Sequence, residues 1–381
     1  MSNFITTPIY YVNDVPHIGH AYTTIACDIL TRYSKLKGNE NFFLTGTDEH
    51  GQKVEKAALF NKKEPQDFVD EMSQNFRDLI PYLGCEINDF IRTTEKRHKL
   101  AAQSLWNKLK DNDQIYLSNY EGWYSIRDEA FYLESELTKT DTGFIAPSGS
   151  PVDWVKEESY FFKLSKWEDK LIEYYETNPE SILPHSRYNE VLSFIKGGLK
   201  DLSISRTTFK WGIKVPEADN HIMYVWVDAL CNYITALNYP NTESDSFKKF
   251  WPGIHVVGKD ILRFHAVYWP AFLMAANIDP PKKIFAHGWW TNEGQKISKS
   301  VGNIINPYDI IDKYGLDQIR FFLFREVPFG NDGDFSKDSI AERVNADLSN
   351  NYGNLIQRIS SFILKNSDSK VSKPKNFKET D

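Results

Sequence analysis

Residues 4–51 read FITTPIYYVNDVPHIGHAYTTIACDILTRYSKLKGNENFFLTGTDEHG, and the order of apolar and polar positions in this stretch sets the architecture. Residues 4–12 are rich in β-branched and aromatic side chains and predict a strand. A polar turn, Asn13-Asp14-Val15-Pro16, follows. From His17 onward Ile18, Tyr22, Ile25, Ile29, Tyr33 and Leu36 recur at helical spacing, and Gly38 supplies a stop. Residues 41–46 predict a second buried strand that leads into the loop Thr47-Asp48-Glu49-His50-Gly51. A strand, a helix and a strand joined by short polar links predict a parallel sheet with a right-handed crossover.

Working outward, the pattern changes between about residues 115 and 220. Segments shorten, Gly143, Pro147, Gly149 and Pro151 interrupt them, and aromatics crowd together as in Ser159-Tyr160-Phe161-Phe162. Buried-strand signals return at 221–226, 254–258 and 284–287. The expected fold is therefore α/β: a Rossmann-like parallel nucleotide-binding sheet split by an inserted α+β domain, followed by the start of an α-helical bundle. The expected boundaries are 1–115 and 221–290 for the two halves of the sheet domain and 116–220 for the insert. A loop-bearing region (291–340), the bundle's start (341–365) and a flexible polar tail (366–381) complete the chain.

Composition sets outer limits. The 381 residues are 41% apolar and 25% charged, which suits a soluble protein with two or three domains. No apolar run is long enough to span a bilayer and the N-terminus lacks a signal-peptide pattern, so a cytoplasmic protein is expected. Cys27, Cys85 and Cys231 are odd in number and far apart, which argues against a disulfide framework and offers no zinc pair. The net charge of −7 does not advertise a nucleic-acid binder, although a local basic patch would suffice for one.

Two short motifs carry chemistry. His17 and His20 stand three apart at a helix start, with Gly19 between them leaving room for close approach of a ligand. A helix N-terminus favours phosphate, and two imidazoles there can stabilise charge during displacement at phosphorus. A pair of capping histidines is the plainer explanation, and an H-x-G-H match by chance is on the order of one in fifty. The second motif, Lys296-Ile297-Ser298-Lys299-Ser300, follows the turn-like Asn292-Glu293-Gly294-Gln295. Its two lysines can neutralise a departing pyrophosphate, and chance would yield it in roughly one chain in a thousand. Both motifs in this order make coincidence untenable.

The two motifs resemble the paired signatures of class I aminoacyl-tRNA synthetases, and the blocks between them resemble the methionyl-tRNA synthetase family. Those blocks are Thr6–Asn13, Gly46–Gly51, Tyr224–Ala229, Val257–Ile261 and Ala286–Gly288, in the family's order and along the chain to about residue 360. The resemblance implies activation of L-methionine by ATP, with Mg²⁺, to methionyl-adenylate and pyrophosphate, and transfer to the 3′-terminal adenosine of tRNA(Met). It implies catalytic roles for His17, His20, Lys296 and Lys299. ATP would also meet Gly19, Gly258 and Lys259, with Asp260 on the ribose and the backbone of Ile297 on adenine. For methionine it implies an apolar slot of Pro8, Ile9, Tyr11, Trp226, Ala229, Leu230 and Tyr233, with Asp48 on the ammonium and His287 near the sulfur. Polarizable thioethers suit aromatic walls, and a buried ammonium needs a carboxylate. Taken alone, Trp226 reads as a core aromatic and His287 as a satisfied core histidine.

The chain departs from the family in two places. Glu121–Asp128 corresponds to a zinc knuckle's first pair, with Ser125 and Asp128 at the ligand places and the second pair missing. One carboxylate without thiolates cannot close a tetrahedral site, so no structural zinc is expected and aromatic packing would hold the knuckle. At the other end, residues 345–358 resemble the first helix of an anticodon-reading bundle, with Asn354 and Arg358 as its contact residues. The rest of that bundle is not in the sequence, and a chain lacking it should form adenylate but charge tRNA poorly. A monomer is the expected state. Two rival functions stay open from the sequence: a class I synthetase for another amino acid, or a non-catalytic synthetase-derived tRNA-binding protein.

Overall fold

The computed structural model describes residues 2–13, 15–140, 143–297, 302–367 and 370–371. Strand β1 (Ser2–Thr6) gives way to an irregular step and then to the short β2 (Tyr10–Tyr11). The single strand expected over 4–12 is thus broken. Pro8 has no N–H to donate to a ladder, and the Thr7 hydroxyl turns back onto the Pro8 carbonyl at 2.7 Å. Helix α1 (Ile18–Leu36) follows, stopped by Gly38 at φ +78°. Its buried face runs Ile18, Tyr22, Ile25, Cys27, Thr31 and Ser34, whereas Ile29, Tyr33 and Leu36 are exposed. The periodic apolar positions therefore track the core only over the helix's first half. Beyond that, small residues face the sheet, and Asn3 donates to the Ser34 hydroxyl at 2.7 Å.

Strand β3 (Glu40–Asp48) is longer than expected and places Asp48 at its very end. Helices α2 (Gln52–Phe60) and α3 (Pro65–Tyr82), strand β4 (Asp89–Arg92) and helix α4 (Lys96–Asp111) complete this part. An antiparallel layer comes next. Strands β5 (Ile115–Ser125), β6 (Ala130–Tyr132), the hairpin β7 (Thr138–Thr140) and β8 (Gly143–Ile145), and β9 (Asp153–Phe162) precede helix α5 (Glu168–Thr177). Strand β10 (Ile182–Leu183), helix α6 (His185–Lys196) and strands β11 (Leu202–Ser203), β12 (Ser205–Arg206), β13 (Lys214–Val215) and β14 (Ala218–Met223) follow. Strand order β11-β9-β5-β6 forms one antiparallel sheet and β12-β14-β13 another. The signal at 221–226 is thus a strand outside the main sheet. Its last residues leave the ladder at Tyr224 and enter helix α7 (Val225–Leu230).

Helices α8 (Asn232–Thr235) and α9 (Asp245–Phe250), strand β15 (Ile254–Gly258), helix α10 (Trp269–Ala275) and strand β16 (Lys283–His287) finish the first unit. The main sheet has the order β10-β16-β15-β1-β3-β2 with β4 also on β3, and all its pairings are parallel. Strand β10 belongs to it although Ile182 and Leu183 fall within 116–220. Buried side chains such as Phe4, Leu44, Trp106 and Trp269 fill one continuous core. Burying a side chain of this size contributes roughly 1.5–3 kcal/mol each.

The chain divides into two compact units, Met1–Trp289 and Trp290–Asp381. In the second, strands β17 (Trp290–Asn292), β18 (Gln295–Lys296) and β19 (Gly333–Phe335) form a small sheet. Helices α11 (Pro307–Tyr314), α12 (Leu316–Arg325), α13 (Lys337–Arg343) and α14 (Asn354–Asn366) surround it or extend from it, with π-type turns over Val344–Gly353. Asp347 binds Arg325 at 2.9 Å, and Arg343 pairs with Glu326 at 2.7 Å. Helix α14 carries Asn354 and Arg358 and leaves Leu355, Ile356, Ile359 and Phe362 exposed. No helix among the described residues is long and apolar enough to cross a membrane.

Candidate active site

The chain leaves β1 towards β3 on one side of the sheet and β15 towards β16 on the other, while β1 and β15 are neighbours. In parallel α/β sheets such a reversal opens a crevice beyond the carboxyl ends of the strands, where ligands bind. The first motif stands at this edge. His17 is the N-cap of α1, and its Nδ1 accepts the Gly19 N–H at 3.1 Å. The His20 Nδ1 accepts the His17 N–H at 3.0 Å, which closes a capping box made of two imidazoles. With both Nδ1 atoms accepting, each ring carries its hydrogen on Nε2. The rings lie 3.9 Å apart. Burial holds His17 down at about 4, and burial with the adjacent His17 holds His20 well below its ordinary value. The pair is thus neutral at pH 7 and offers two N–H donors. A side chain at position 19 would meet the His17 ring at 2.9 Å, so Gly19 is required by the cap itself as well as by any ligand.

The end of β3 and the two residues after it form four consecutive polar positions, and three are engaged. The Thr47 hydroxyl donates to Glu49 at 2.7 Å, Arg92 holds Glu49 through bonds of 2.6 and 3.0 Å, and His50 donates to Asp228 at 2.7 Å. Asp48 is the exception. It is 5% exposed, and its Oδ1 has no hydrogen-bond partner. Burial, then the charges of Asp228 and Glu129, push its carboxyl well above the usual range. A buried carboxylate oxygen without a donor is costly and is a natural seat for a cation.

Aromatic residues lie on the adjoining segments. Tyr11 pairs with Asp48 across the β2–β3 ladder. Trp226, on α7, stacks on Phe264 with centroids 3.8 Å apart, and its Nε1 is buried without a partner. Tyr233 lies against His255 at 3.9 Å and donates its hydroxyl to the His265 Nε2 at 2.7 Å. The His265 Nδ1 in turn donates to the Ile261 carbonyl at 3.0 Å, which fixes that tautomer. Ala229 and Leu230 are buried, and Pro8 and Ile9 half-buried, on the adjoining segments. His287 does not join this group. It ends β16, its Nε2 takes the Thr23 hydroxyl at 2.8 Å, and its ring meets Tyr22 at 5.2 Å, beside Gly258. The histidine that touches Tyr233 and Trp226 is His265, together with Phe264 on the other face of Trp226.

The end of β15 and the step after it bring Gly258, Lys259 and Asp260 to the same edge. A side chain at 258 would collide with the Asp260 carboxylate at 2.5 Å, so the strand end stays open. Asp260 is exposed and accepts from the Trp289 indole at 3.1 Å, and Lys259 lies over that indole at 4.4 Å. In the second unit, Lys296 ends β18 and Ile297 is half-buried. The side chain of Lys296 and the whole of Lys299 lie outside the described residues.

At the knuckle the ligand places hold hydroxyl chemistry. Asp128 accepts from Tyr132 and Ser150, each at 2.9 Å, and Ser125 accepts the Asp128 N–H at 3.2 Å. Trp123 packs on Phe144 at 4.8 Å and on Trp154 at 5.1 Å. A zinc ion does not fit this donor set, and no group of three or more His, Cys, Asp or Glu among the described residues could hold a metal. Of the residues the sequence did not single out, His265 and Phe264 follow Asp260 by five and four positions. Their only sequence signal is the aromatic F-H pair itself.

Comparison with known proteins places this geometry. The sequence profile of the family described as "tRNA synthetases class I (M)" matches residues 3–142 and 145–360. The methionine–tRNA ligase of Rickettsia conorii is 62% identical over 369 residues, 97% of this chain and 72% of that protein. That of Brucella suis is 53% identical over 380 residues, 99% of this chain and 74% of that protein. Mycobacterium tuberculosis methionyl-tRNA synthetase in complex with methionyl-adenylate superposes with a TM-score of 0.94 at 49% identity, covering 99% of this chain and 75% of that one. A sheet that reverses at β1 and β15, a double-histidine cap at its edge and a profile matched over nearly every residue lead to one assignment: this chain belongs to the class I tRNA synthetases of the methionine group.

Proposed function

We infer that this chain is a methionine–tRNA ligase, which activates L-methionine with ATP and passes the methionyl group to tRNA(Met). The observation that carries the reading is the buried Asp48 Oδ1, which has no partner and stands opposite Tyr11 in the ladder, while Thr47, Glu49 and His50 beside it are all engaged. An α-ammonium is the group that such an oxygen lacks, and an apolar aromatic slot suits a thioether. Trp226, Phe264, Tyr233 and His265 form the side-chain end of this site in our reading, with Ile9, Ala229 and Leu230 as apolar lining.

The methionine carboxylate, already ionised at neutral pH, attacks the α-phosphorus of MgATP. A carboxylate O–P bond forms as the bond from that phosphorus to the bridging oxygen breaks, and the electron pair leaves with pyrophosphate. No general base is needed. The Nε2–H groups of His17 and His20 donate to phosphate oxygens as charge builds, without having to lose a proton. Asp260 takes the ribose hydroxyls, Gly258 and Lys259 flank them, and Lys296 and Lys299 are assigned to the leaving pyrophosphate. A terminal ribose hydroxyl of tRNA then attacks the acyl carbon and AMP leaves. Asn354 and Arg358 are assigned to the anticodon. Pyrophosphate exchange run with each amino acid in turn tests this: L-methionine alone should drive it, and exchange driven equally by another amino acid would overturn it.

A further inference from the structure

Glu129 connects the antiparallel sheet to the amino-acid site, and has entered above only as a charge near Asp48. It sits in the turn between β5 and β6, 3% exposed, with a backbone φ of +48°. That region is unfavourable for a residue with a side chain as long as glutamate, so surrounding contacts must hold it there. Two do. The Tyr224 hydroxyl donates to the Glu129 carbonyl at 2.8 Å, and Tyr224 is the residue from which the helix bearing Trp226 starts. The Glu129 carboxylate accepts the hydroxyl of Tyr11, which lies 118 positions earlier, and is approached by the Lys53 N–H at 3.4 Å.

Tyr11 is thereby clamped from several sides. Its hydroxyl also contacts the His50 carbonyl at 2.9 Å, and the Lys53 ammonium lies 4.8 Å from its ring centroid. Gly51, at φ +108°, leaves the space these groups need: a side chain there would meet the Tyr11 hydroxyl at 2.6 Å and the Glu129 carboxylate at 2.7 Å. The walls of the proposed methionine slot, Tyr11 on one side and the Trp226 helix on the other, are thus tied to a single residue of the antiparallel layer.

We propose that Glu129 is a positioning residue of the amino-acid site, acting through Tyr11: its carboxylate holds the Tyr11 hydroxyl, and so sets the wall against which methionine binds beside Asp48. The inference rests on reading this site as the seat of methionine. It makes the antiparallel layer part of substrate recognition, with no metal needed to transmit the tie. A carboxylate that served only to stabilise the fold would affect methionine and ATP alike.

Methionine-dependent pyrophosphate exchange, measured as separate kcat and KM for methionine and ATP, tests it in wild type, Glu129→Ala, Glu129→Gln, Tyr11→Phe and the double variants. Loss of this buried hydrogen bond predicts a methionine KM raised about tenfold in Glu129→Ala, with the ATP KM and kcat within about twofold. Glu129→Gln, whose amide oxygen still accepts the hydroxyl, should recover most of the loss. In the Tyr11→Phe background either change at 129 should add little. Additive losses, a glutamine variant no better than alanine, or equal rises in both KM values would overturn the proposal. Should Glu129→Ala not fold, Glu129→Leu, which keeps most of the bulk but cannot accept the hydroxyl, takes its place in the cycle with Tyr11→Phe: non-additive losses confined to the methionine KM support the tie, and additive or equal ones overturn it. Absence of methionine-dependent exchange in wild type would instead remove the reading on which the proposal rests.

Discussion

Two buried aspartates, Asp48 at the end of β3 and Asp228 in α7, occupy neighbouring parts of one site and are treated in opposite ways. Asp228 is 1% exposed and accepts from His50 at 2.7 Å and from His98 at 2.8 Å. Burial alone would raise its pKa, but the attraction and hydrogen bonds of the two histidines outweigh it and hold the carboxyl at about 2. Asp48 has an oxygen with no partner, and burial with two nearby carboxylates pushes it upward. The difference separates two tasks. Asp228 locks the Trp226 helix to the His50 loop, while Asp48 carries an electrostatic cost that a proton or a bound cation relieves.

The largest way to break this comparison is to neutralise Asp48. Asp48→Asn should lower kcat/KM for methionine in exchange by about 10²- to 10³-fold, since a buried charged partner is worth several kcal/mol. The same change should leave the free protein as stable or more stable. The sign follows from the elevated carboxyl: a group whose folded pKa is raised costs stability above its unfolded value, and asparagine removes that cost. Asp228→Ala should do the reverse, costing about 3–5 kcal/mol in denaturant unfolding because two buried histidines lose their partner. Its folded pKa is depressed, so its contribution is complete above pH 4 and is lost as pH falls towards 2.

Acid should act earlier at the histidine cap. His17 is depressed from 6.5 to about 4, so the unfolded chain binds more protons in that window. Stability should therefore fall by about 2–3 kcal/mol between pH 6.5 and 4, and His17→Asn should flatten the slope of unfolding free energy against pH. The smallest effect sharpens the contrast from the ATP side. Lys299→Ala should cut exchange at least about tenfold with the methionine KM unchanged, and unchanged exchange would refute the role given to that lysine.

Much of this was legible in the sequence where chemistry is local. The strand–helix–strand pattern of residues 4–51, the double histidine and the placement of Asp48 at a strand end all depend on residues close in the chain. What depends on distant partners was not legible. Glu129 meets Tyr11 across 118 positions and Tyr233 meets His265 across 32, and no periodicity encodes such pairs. His287 illustrates the same limit: it is a buried histidine at a strand end, as expected, but strand register sets it beside Gly258 and α1. The cap made by His17 and His20 shows that a plain structural role and a chemical one can coincide. The hydrogen bonds that close the cap also fix the tautomer that presents two N–H donors.

The measurement that addresses the Asp48 claim most directly is the methionine-induced thermal shift of wild type and Asp48→Asn, without ATP. A ligand that binds only the folded state raises the melting temperature with its concentration. A concentration-dependent rise is predicted for wild type and none for Asp48→Asn over the same range, from a starting temperature no lower than that of wild type. An equal rise in both proteins would contradict the role of Asp48 as the seat of the ammonium.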